Sequence, residues 1–161
     1  MKTRSILMST LCSLMLSMGF VGCIESEEEP EPTIDPIEKP NYILHEGHWG
    51  ANNASIAMFN HPANGIVQTD AYLNSNGKQM GDVANAMIKE DDYIYVVLNG
   101  SGYVGKLDLT TKEQARYSLN NPRCIVVEDG YAYVTQHGGK VTKLNVKDMS
   151  LVETTPQIGD N

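Results

Sequence analysis

The chain has 161 residues and a formal net charge of −8, from 12 Lys and Arg against 20 Asp and Glu. Seven of these acids fall between Glu25 and Glu38, so residues 39–161 carry 13 acids against 10 bases. Because this larger part is near charge balance and shows no basic stripe, the composition argues against nucleic acid as a partner.

Residues 1–22 have the pattern of a targeting segment. Two basic residues stand near the start, and the 16-residue run 6–21 is apolar apart from small Ser, Thr and Gly. A run of this length is short for a membrane-spanning helix. It ends in Gly22 and Cys23, which resembles a bacterial lipoprotein signal and implies that Cys23 is acylated as the new N-terminus. The alternative is an ordinary secretory signal with an incidental cysteine.

Residues 23–40 have the composition of a solvated tether. The stretch from Glu25 to Glu38 holds seven acids and no base, and prolines interrupt any helix. Such a segment behind a lipid-bearing Cys23 would hold a domain away from a membrane, whereas the alternative is an ordinary disordered leader. The run SEEE is similar to the surface-export signal of Bacteroidetes lipoproteins, which implies lipid anchoring to the outer membrane and exposure at the cell surface.

A repeat with a spacing near 38 residues occupies the second half of the chain. The segment EDDYIYVVLNGSGYVGKLDLTTKE (Glu90–Glu113) aligns with EDGYAYVTQHGGKVTKLNVKDMS (Glu128–Ser150). The tyrosines match at an offset of 38 and, after one deleted residue, Lys106 matches Lys143 at an offset of 37. NYILHEG and SIAMFN form a weaker earlier copy, and the final IGDN resembles MGDV at Met80–Val83, as if a fourth copy began there.

A period near 40 residues with several short strands predicts an all-β fold, a β-propeller of four-stranded blades. Blades are expected at about 41–78, 79–119 and 120–156, with the start of a fourth. Since a closed ring takes at least about four blades, we expect a fragment or truncated product of a longer protein; the alternative is an oligomer. The predicted strands are Ala84–Lys89, Tyr93–Leu98, Tyr103–Leu109, Gln114–Leu119, one around Ile125, Tyr131–Thr135 and Lys140–Val146.

Several residues are assigned to packing rather than to chemistry. Once Cys12 leaves with the signal and Cys23 carries lipid, Cys124 has no partner for an intramolecular disulfide or a zinc site. Cys124 falls on an inner strand and is expected to be a small buried apolar residue. The residues expected to pack between blades are Tyr93, Tyr95, Tyr131, Tyr133, Met58, Met80 and Met87.

Four strings, EGHWGANNASIAMFN, GDVANAMI, IYVVLNGSGYVGKLDL and EDGYAYVT, together resemble the YncE-like surface propeller lipoproteins of Bacteroidetes. The resemblance covers residues 41–161 and implies a surface β-propeller, often labelled a surface-layer protein or a domain of unknown function, without implying one activity. One branch, the BtuG-like proteins, captures cobalamin and passes it to a TonB-dependent transporter. The residues alone do not place this chain in that branch.

Two sets of loops converge at one end of a propeller channel, and a ligand is expected there. One set enters the innermost strands, and the other joins the second and third strands. The longest loop, HEGHWGANNA, holds Trp49, the only tryptophan, which is expected to be a stacking platform. The alternative is that Trp49 caps a seam between blades. The predicted ligand-binding residues are His45, His48, Trp49, Asn52, Asn53, Asn99, Arg123 and His137.

Metal binding and catalysis are weaker interpretations of the same loops. His45 and His48 lack the i, i+4 helical spacing and have no neighbouring Cys, although Glu46 would be a third ligand. Axial coordination of a corrinoid cobalt by a loop histidine stays an alternative. NGSG lies in a strand-joining turn without a strand-to-helix elbow, so neither a metal, a catalytic residue nor an enzyme is predicted. Asp82 and Asp160 are expected to be turn formers that accept backbone N–H bonds.

The leading functional hypothesis is a lipid-anchored surface protein that captures a small nutrient beside an outer-membrane transporter. A corrinoid is the most specific ligand that the resemblance implies, and a TonB-dependent transporter is the partner it implies. The second hypothesis is a scaffold that recognises protein or glycan. The third is an enzyme of the lactone-opening or sugar-oxidising kind, which would need several inward carboxylates or histidines that these copies offer sparsely.

Overall fold

The computed structural model describes residues 40–59 and 66–158. The predicted signal peptide, nearly all of the predicted tether with Cys23, and Asp160 lie outside the described residues. The described residues belong to one compact unit. Within the described part, no helix is both long enough and apolar enough to cross a bilayer.

Eleven strands of the described residues form three antiparallel sheets, in which each strand is hydrogen-bonded to its neighbour along the chain. The first sheet contains β1 (Asn41–His45), β2 (Ser55–Phe59) and β3 (Ile66–Gln68). The second sheet contains β4 (Ala84–Glu90), β5 (Tyr93–Leu98), β6 (Tyr103–Asp108) and β7 (Glu113–Ser118). The third sheet contains β8 (Pro122–Glu128), β9 (Tyr131–Gln136), β10 (Lys140–Asn145) and β11 (Leu151–Thr154).

The predicted all-β class, with successive four-stranded sheets as propeller blades, is confirmed. The predicted strand bounds are also close to the observed ones. Strand β5 has the predicted bounds, and β7, predicted as Gln114–Leu119, begins and ends one residue earlier, at Glu113–Ser118. The agreement follows from local signals. Alternating side chains mark the strands, and Asp91 and Asp129 turn the two matching hairpins with φ of 50° at each, a conformation that Asp tolerates better than most residues.

One short helix, α1 (Ala71–Asn76), lies between the first and second sheets and was not predicted. The side chain of Asp70 caps it by accepting from the Leu73 amide, and Gly77 ends it at φ 66°. The buried Tyr72 hydroxyl donates to Glu113 in β7 at 2.6 Å. A helix of six residues gains little stability alone, so its anchorage to the second sheet holds it in place.

Strand β5 is buried on both faces because a sheet packs on each side of it. Ile94, Val96 and Leu98 point into the core shared with the first sheet, whereas Tyr95 and Val97 point into the core shared with the third. Successive side chains of a strand alternate between faces, so a strand buried on both sides reads as a nearly continuous apolar run. The placement of Tyr95 between two sheets confirms its predicted packing role.

The methionines singled out by the sequence also lie in or beside these cores. Met80 is buried between the first and second sheets, Met87 packs against the same cluster, and Met58 is buried in β2. Their flexible side chains suit irregular spaces between sheets.

The prediction that Cys124 is buried is wrong, because its side chain is exposed. A bulge in β8 between Pro122 and Ile125 inserts an extra residue opposite β9. Ile125 points toward the second sheet, and its neighbour Cys124 falls on the opposite face. Among the described residues no further sheet covers that face, so the inner strand is shielded on one side only.

Candidate functional site

The longest connection of the first sheet, residues 46–54 between β1 and β2, has a closely specified backbone. The His48 amide donates to the Asn53 side chain at 2.8 Å, and the Ala51 amide donates to the His48 carbonyl at 3.0 Å. Gly47 has φ 78°, and a Cβ there would lie 2.7 Å from the Ala54 nitrogen. Only glycine fits that position without displacing backbone.

This loop is tied at both of its ends to residues 81–84, the segment that leads into the second sheet. The Ala84 amide donates to the Glu46 carbonyl at 3.0 Å, and the Ala54 amide donates to the Gly81 carbonyl at 3.0 Å. Between these ends, the Gly50 amide donates to the carboxylate of Asp82. Three cross-links over nine residues hold the loop to the sheet, so little ordering entropy would remain to be lost on binding a ligand.

Asp82 joins this loop to the β5–β6 turn. Its carboxylate accepts from Gly50, its amide donates to the Ser101 hydroxyl at 2.7 Å, and its carbonyl accepts from the Ser101 amide at 3.1 Å. The predicted acceptance of a backbone N–H is confirmed, but the donor lies 32 residues away and outside the turn that contains Asp82. The second carboxylate oxygen is buried and has no hydrogen-bond partner among the described residues.

Trp49 lies at the outer part of this loop and is 73% exposed. A residue that sealed the seam between two sheets would be buried, so the alternative assignment of Trp49 as a seam cap is wrong. The indole is instead held in solvent on a loop whose backbone is hydrogen-bonded on both sides of it. An apolar ring presented in this way is available for stacking against a flat ligand.

A cleft of about 640 Å³ opens along the same loop and includes three of the predicted residues, although Trp49 itself does not line it. His45, His48 and Asn53 line it together with Glu46. Its remaining lining residues are Leu44, Gly47, Ser55, Ala57 and Thr69. Imidazole and amide groups over an apolar floor can hydrogen-bond and pack against a small ligand at the same time.

The other predicted residues are not brought to this cleft. Asn99 is 7% exposed, and its amide nitrogen donates to the Pro122 carbonyl at 3.1 Å, which links the second sheet to the start of the third. Arg123 is exposed in the β8 bulge, and Asn52 is exposed in the loop with φ 52°. Asn99 is therefore structural, and the eight predicted residues form no single site.

His137 lines a separate cleft of about 440 Å³ between the outer parts of the second and third sheets. Its amide donates to the Asn121 carbonyl at 3.1 Å. Tyr117, Gln136 and Lys140 line the same cleft. The two histidine-bearing clefts thus belong to different sheets.

Sequence reasoning missed a third cleft, of about 900 Å³, at the opposite end of the second and third sheets. Two matching acidic turns, Glu90–Asp92 and Glu128–Gly130, form its rim, and Tyr95 and Lys106 lie within it. The available signal is the Glu-Asp pair that precedes each tyrosine motif in both copies of the repeat. No residue of this cleft belongs to the predicted ligand-binding set.

Metal chemistry finds no ready site in the part of the chain that the structure describes. Over residues 40–59 and 66–158, no three His, Cys, Asp or Glu side chains approach closely enough to hold a metal ion together. His45, Glu46 and His48 share a cleft but do not converge on one point.

Comparison with known proteins yields likenesses in structure alone. No family model and no curated protein matches the chain. A solved structure, "Structure of apo AztD from Citrobacter koseri", is similar with a TM-score of 0.44 and 15% sequence identity over 66% of this chain. The chain spans 31% of the length of that structure.

Proposed function

We propose that this chain is a ligand-binding module whose site is the loop between β1 and β2 and the cleft beside it. The observation that carries the proposal is the placement of Trp49, 73% exposed on a loop that three hydrogen bonds tie to residues 81–84 at the start of the second sheet. Exposing an indole forgoes the stabilisation that its burial would supply. Binding recovers part of that stabilisation when a flat apolar ligand covers the ring.

The chemistry of the cleft narrows the ligand class. Trp49 on the loop offers an exposed stacking face, and His45, His48 and Asn53 in the cleft along the same loop offer hydrogen bonds. A ring system of small to medium size with polar substituents suits this combination. Among such ligands a corrinoid is the specific proposal, supported by the resemblance of the sequence to surface propeller lipoproteins.

The proposed setting is the bacterial surface. Acylation at Cys23 would anchor the chain in the outer membrane, and the acidic tether would give the domain reach. A TonB-dependent transporter would then receive the ligand, since a shared membrane raises the local concentration of the two partners. Changing Cys23 to Ala tests the anchor: the variant should leave the membrane fraction, and continued retention would reject acylation.

Binding is tested by titration with cyanocobalamin. Because Trp49 is the only tryptophan, its emission, corrected for absorption by the ligand, reports directly on the site. We expect a saturable change in the micromolar range. Absence of a saturable change would reject the corrinoid while leaving the location of the site to be tested with other ligands.

The location is tested by calorimetry on three variants. Trp49→Ala should weaken binding about tenfold or more, while Trp49→Phe, which keeps a ring, should lose less. His137→Ala is the matched control, because His137 lines a different cleft. Equal affinity of Trp49→Ala and the wild type would place the site elsewhere.

A glycan is the second candidate, and the same exposed indole favours it. Aromatic rings stack on the apolar faces of sugars as they do on planar ligands. A glycan array probed with the wild type and with Trp49→Ala separates the corrinoid hypothesis from the glycan hypothesis. An array signal that depends on Trp49 would identify a glycan ligand. No array signal, together with corrinoid binding in the titration, would exclude a glycan.

A further inference from the structure

The cleft of about 900 Å³ between the second and third sheets carries negative charge that the chain does not compensate. Five of its lining residues are acidic and two are lysines, so it has three more negative than positive charges. The acidic residues are Glu90, Asp91, Asp92, Glu128 and Asp129. Within the described residues, none of these carboxylates forms an ion pair or accepts a hydrogen bond. Because like charges held close together repel one another, this arrangement works against the compact fold.

Turn geometry accounts for only two of these acids. Asp91 and Asp129 have φ of 50° in their hairpin turns, a conformation that Asp adopts more readily than most residues. Glu90 and Glu128 stand just before the turns, at the last positions of β4 and β8. A strand end makes no demand for a carboxylate, so the backbone does not explain why both copies of the repeat have an acid there.

Tyr95 gives a second and independent indication of a ligand. It lines the cleft and is 2% exposed, yet its hydroxyl has no hydrogen-bond partner among the described residues. Solvent reaches this hydroxyl, because the only fully buried side-chain oxygen or nitrogen without a partner in the described part of the chain belongs to Asp82. Burial is the largest cause of the raised pKa of Tyr95, and negative charge on Asp91 and Glu90 adds to it. The hydroxyl therefore lies near the acidic rim and is available to a ligand.

The walls of the cleft are apolar or aromatic between these polar groups. Tyr93 and Tyr95 line the side of the second sheet, and Val127 lines the side of the third. Lys106 donates to the Val146 carbonyl at 2.7 Å and lies 3.7 Å from the centroid of the Tyr93 ring, so its ammonium group already has partners. An elongated cation whose charges are separated by apolar segments suits both the carboxylates and the walls. A metal ion does not, since among the described residues no three His, Cys, Asp or Glu side chains approach closely enough to hold one.

We propose that this cleft binds a linear polyamine, with its ammonium groups on the carboxylates of the two acidic turns and one N–H donated to the Tyr95 hydroxyl. Hydrogen bonds between ammonium and carboxylate groups are stronger than neutral ones. The charge of the triamine spermidine matches the excess negative charge of the cleft, and its methylene segments suit the apolar walls. The site is separate from the loop that holds Trp49, because that loop bonds to residues 81–84 before and at the start of β4, whereas Glu90 ends β4.

Calorimetry with spermidine tests the proposal on the whole chain in detergent. We expect one strong site per chain, with a Kd of roughly 10–100 µM at about 0.1 M salt. Asp92→Asn combined with Glu128→Gln changes one acid in each turn and should weaken binding at least about fivefold. Glu27→Gln with Glu28→Gln is the matched control, because it removes the same charge from the acidic segment 25–38. It should bind like the wild type.

Three results of this titration would overturn the proposal. They are the absence of saturable binding, an unchanged affinity in the cleft variant, and an equal loss of affinity in the control variant. Mg²⁺ that competes as well as spermidine at equal charge would show screening without a site and would also overturn it. Trilysine that binds more tightly than spermidine would assign the cleft to a basic peptide instead of a polyamine.

Tyr95→Phe tests the hydroxyl by itself. The variant keeps the packed ring and loses a group that bonds nothing within the described residues, so its melting temperature should stay within about 2 °C of the wild type. Its affinity for spermidine should fall about threefold or more. Trp49→Ala should bind spermidine like the wild type, whatever its effect on other ligands. Unchanged affinity in Tyr95→Phe, or a loss in Trp49→Ala, would contradict the site as proposed.

Discussion

Lys106 in the second sheet donates to the carbonyl of Val146 in the third sheet over 2.7 Å, although this lysine is only 6% exposed. Burial lowers its pKa, and the nearby Asp148 carboxylate offsets part of that effect. An ammonium group beneath a seam is stabilised only when its protons find acceptors. The Val146 carbonyl and the face of Tyr93 supply them.

Replacing Lys106 by Met tests this junction. Methionine occupies the equivalent position, Met58, in the first sheet and retains the apolar stem. The change leaves the half-buried Val146 carbonyl without its donor, so we expect a loss of about 1–2 kcal/mol in the free energy of unfolding. Urea denaturation measures it. Lys143→Met, measured in dilute protein, is the control and should change stability by less than about 0.5 kcal/mol; equal losses would show that the bond contributes nothing.

Alkaline pH should weaken the junction of the first and second sheets, where the Tyr42 hydroxyl donates to the Leu109 carbonyl at 2.6 Å. Burial, with a smaller contribution from Asp108, raises the pKa of Tyr42 from 10.0 to about 12. Because the pKa of Tyr42 is higher in the folded protein, its hydroxyl loses the proton at a lower pH in the unfolded chain. The contribution of this hydroxyl to folding stability is therefore complete below pH 10 and disappears as the pH rises to about 12. Unfolding free energies measured across that window should fall.

Tyr42→Phe is the comparison for the pH series. Phenylalanine has no proton to lose, so the variant should be less stable than the wild type at pH 8 and should show a shallower decline toward pH 12. Burial also raises the pKa of Tyr103 to about 12, so some decline remains in the variant. An identical slope in both proteins would contradict the assignment of Tyr42.

The two glycines of the β1–β2 loop should differ in their tolerance of alanine. Both have positive φ, but a Cβ at Gly47 would meet the Ala54 nitrogen at 2.7 Å, whereas a Cβ at Gly50 would meet nothing within 4 Å. Gly50→Ala should therefore cost about 1 kcal/mol for its left-handed conformation alone. Gly47→Ala should cost clearly more, and equal melting temperatures for the two variants would argue against the loop geometry.

Asp82 should govern how firmly Trp49 is held. Asp82→Ala removes the acceptor for the Gly50 amide, so the loop should move more and the steady-state anisotropy of Trp49 emission should fall. Asp82→Asn keeps an acceptor oxygen and should lie close to the wild type. Unchanged anisotropy in Asp82→Ala would mean that the contacts of Glu46 and Ala54 hold the loop by themselves.

Cys124 should react in the native protein, since its side chain is exposed. Brief treatment of dilute protein with a maleimide, followed by peptide mapping, should find this cysteine modified without denaturant. Modification only after unfolding would restore the burial that the sequence suggested.

How much of the candidate site was predictable differs residue by residue. The loop itself and the membership of His45, His48 and Asn53 followed from its length and composition, because a long Gly- and Asn-rich connection has to lie at a sheet end. Asn99 could not be placed in this way: the same residue type serves as a ligand contact or a structural bond, and its bond to Pro122 depends on where the third sheet packs.

The sequence by itself determined the strands, their turns and the repeat, because period-two alternation and turn residues act over a few neighbouring positions. Only the tertiary structure decided which faces are covered, that Trp49 stays in solvent, that Asp82 bonds a residue 32 positions away, and that Cys124 is exposed. These outcomes depend on contacts between distant segments. Each inner strand has two faces, and its local pattern does not tell whether a sheet packs on one of them or on both.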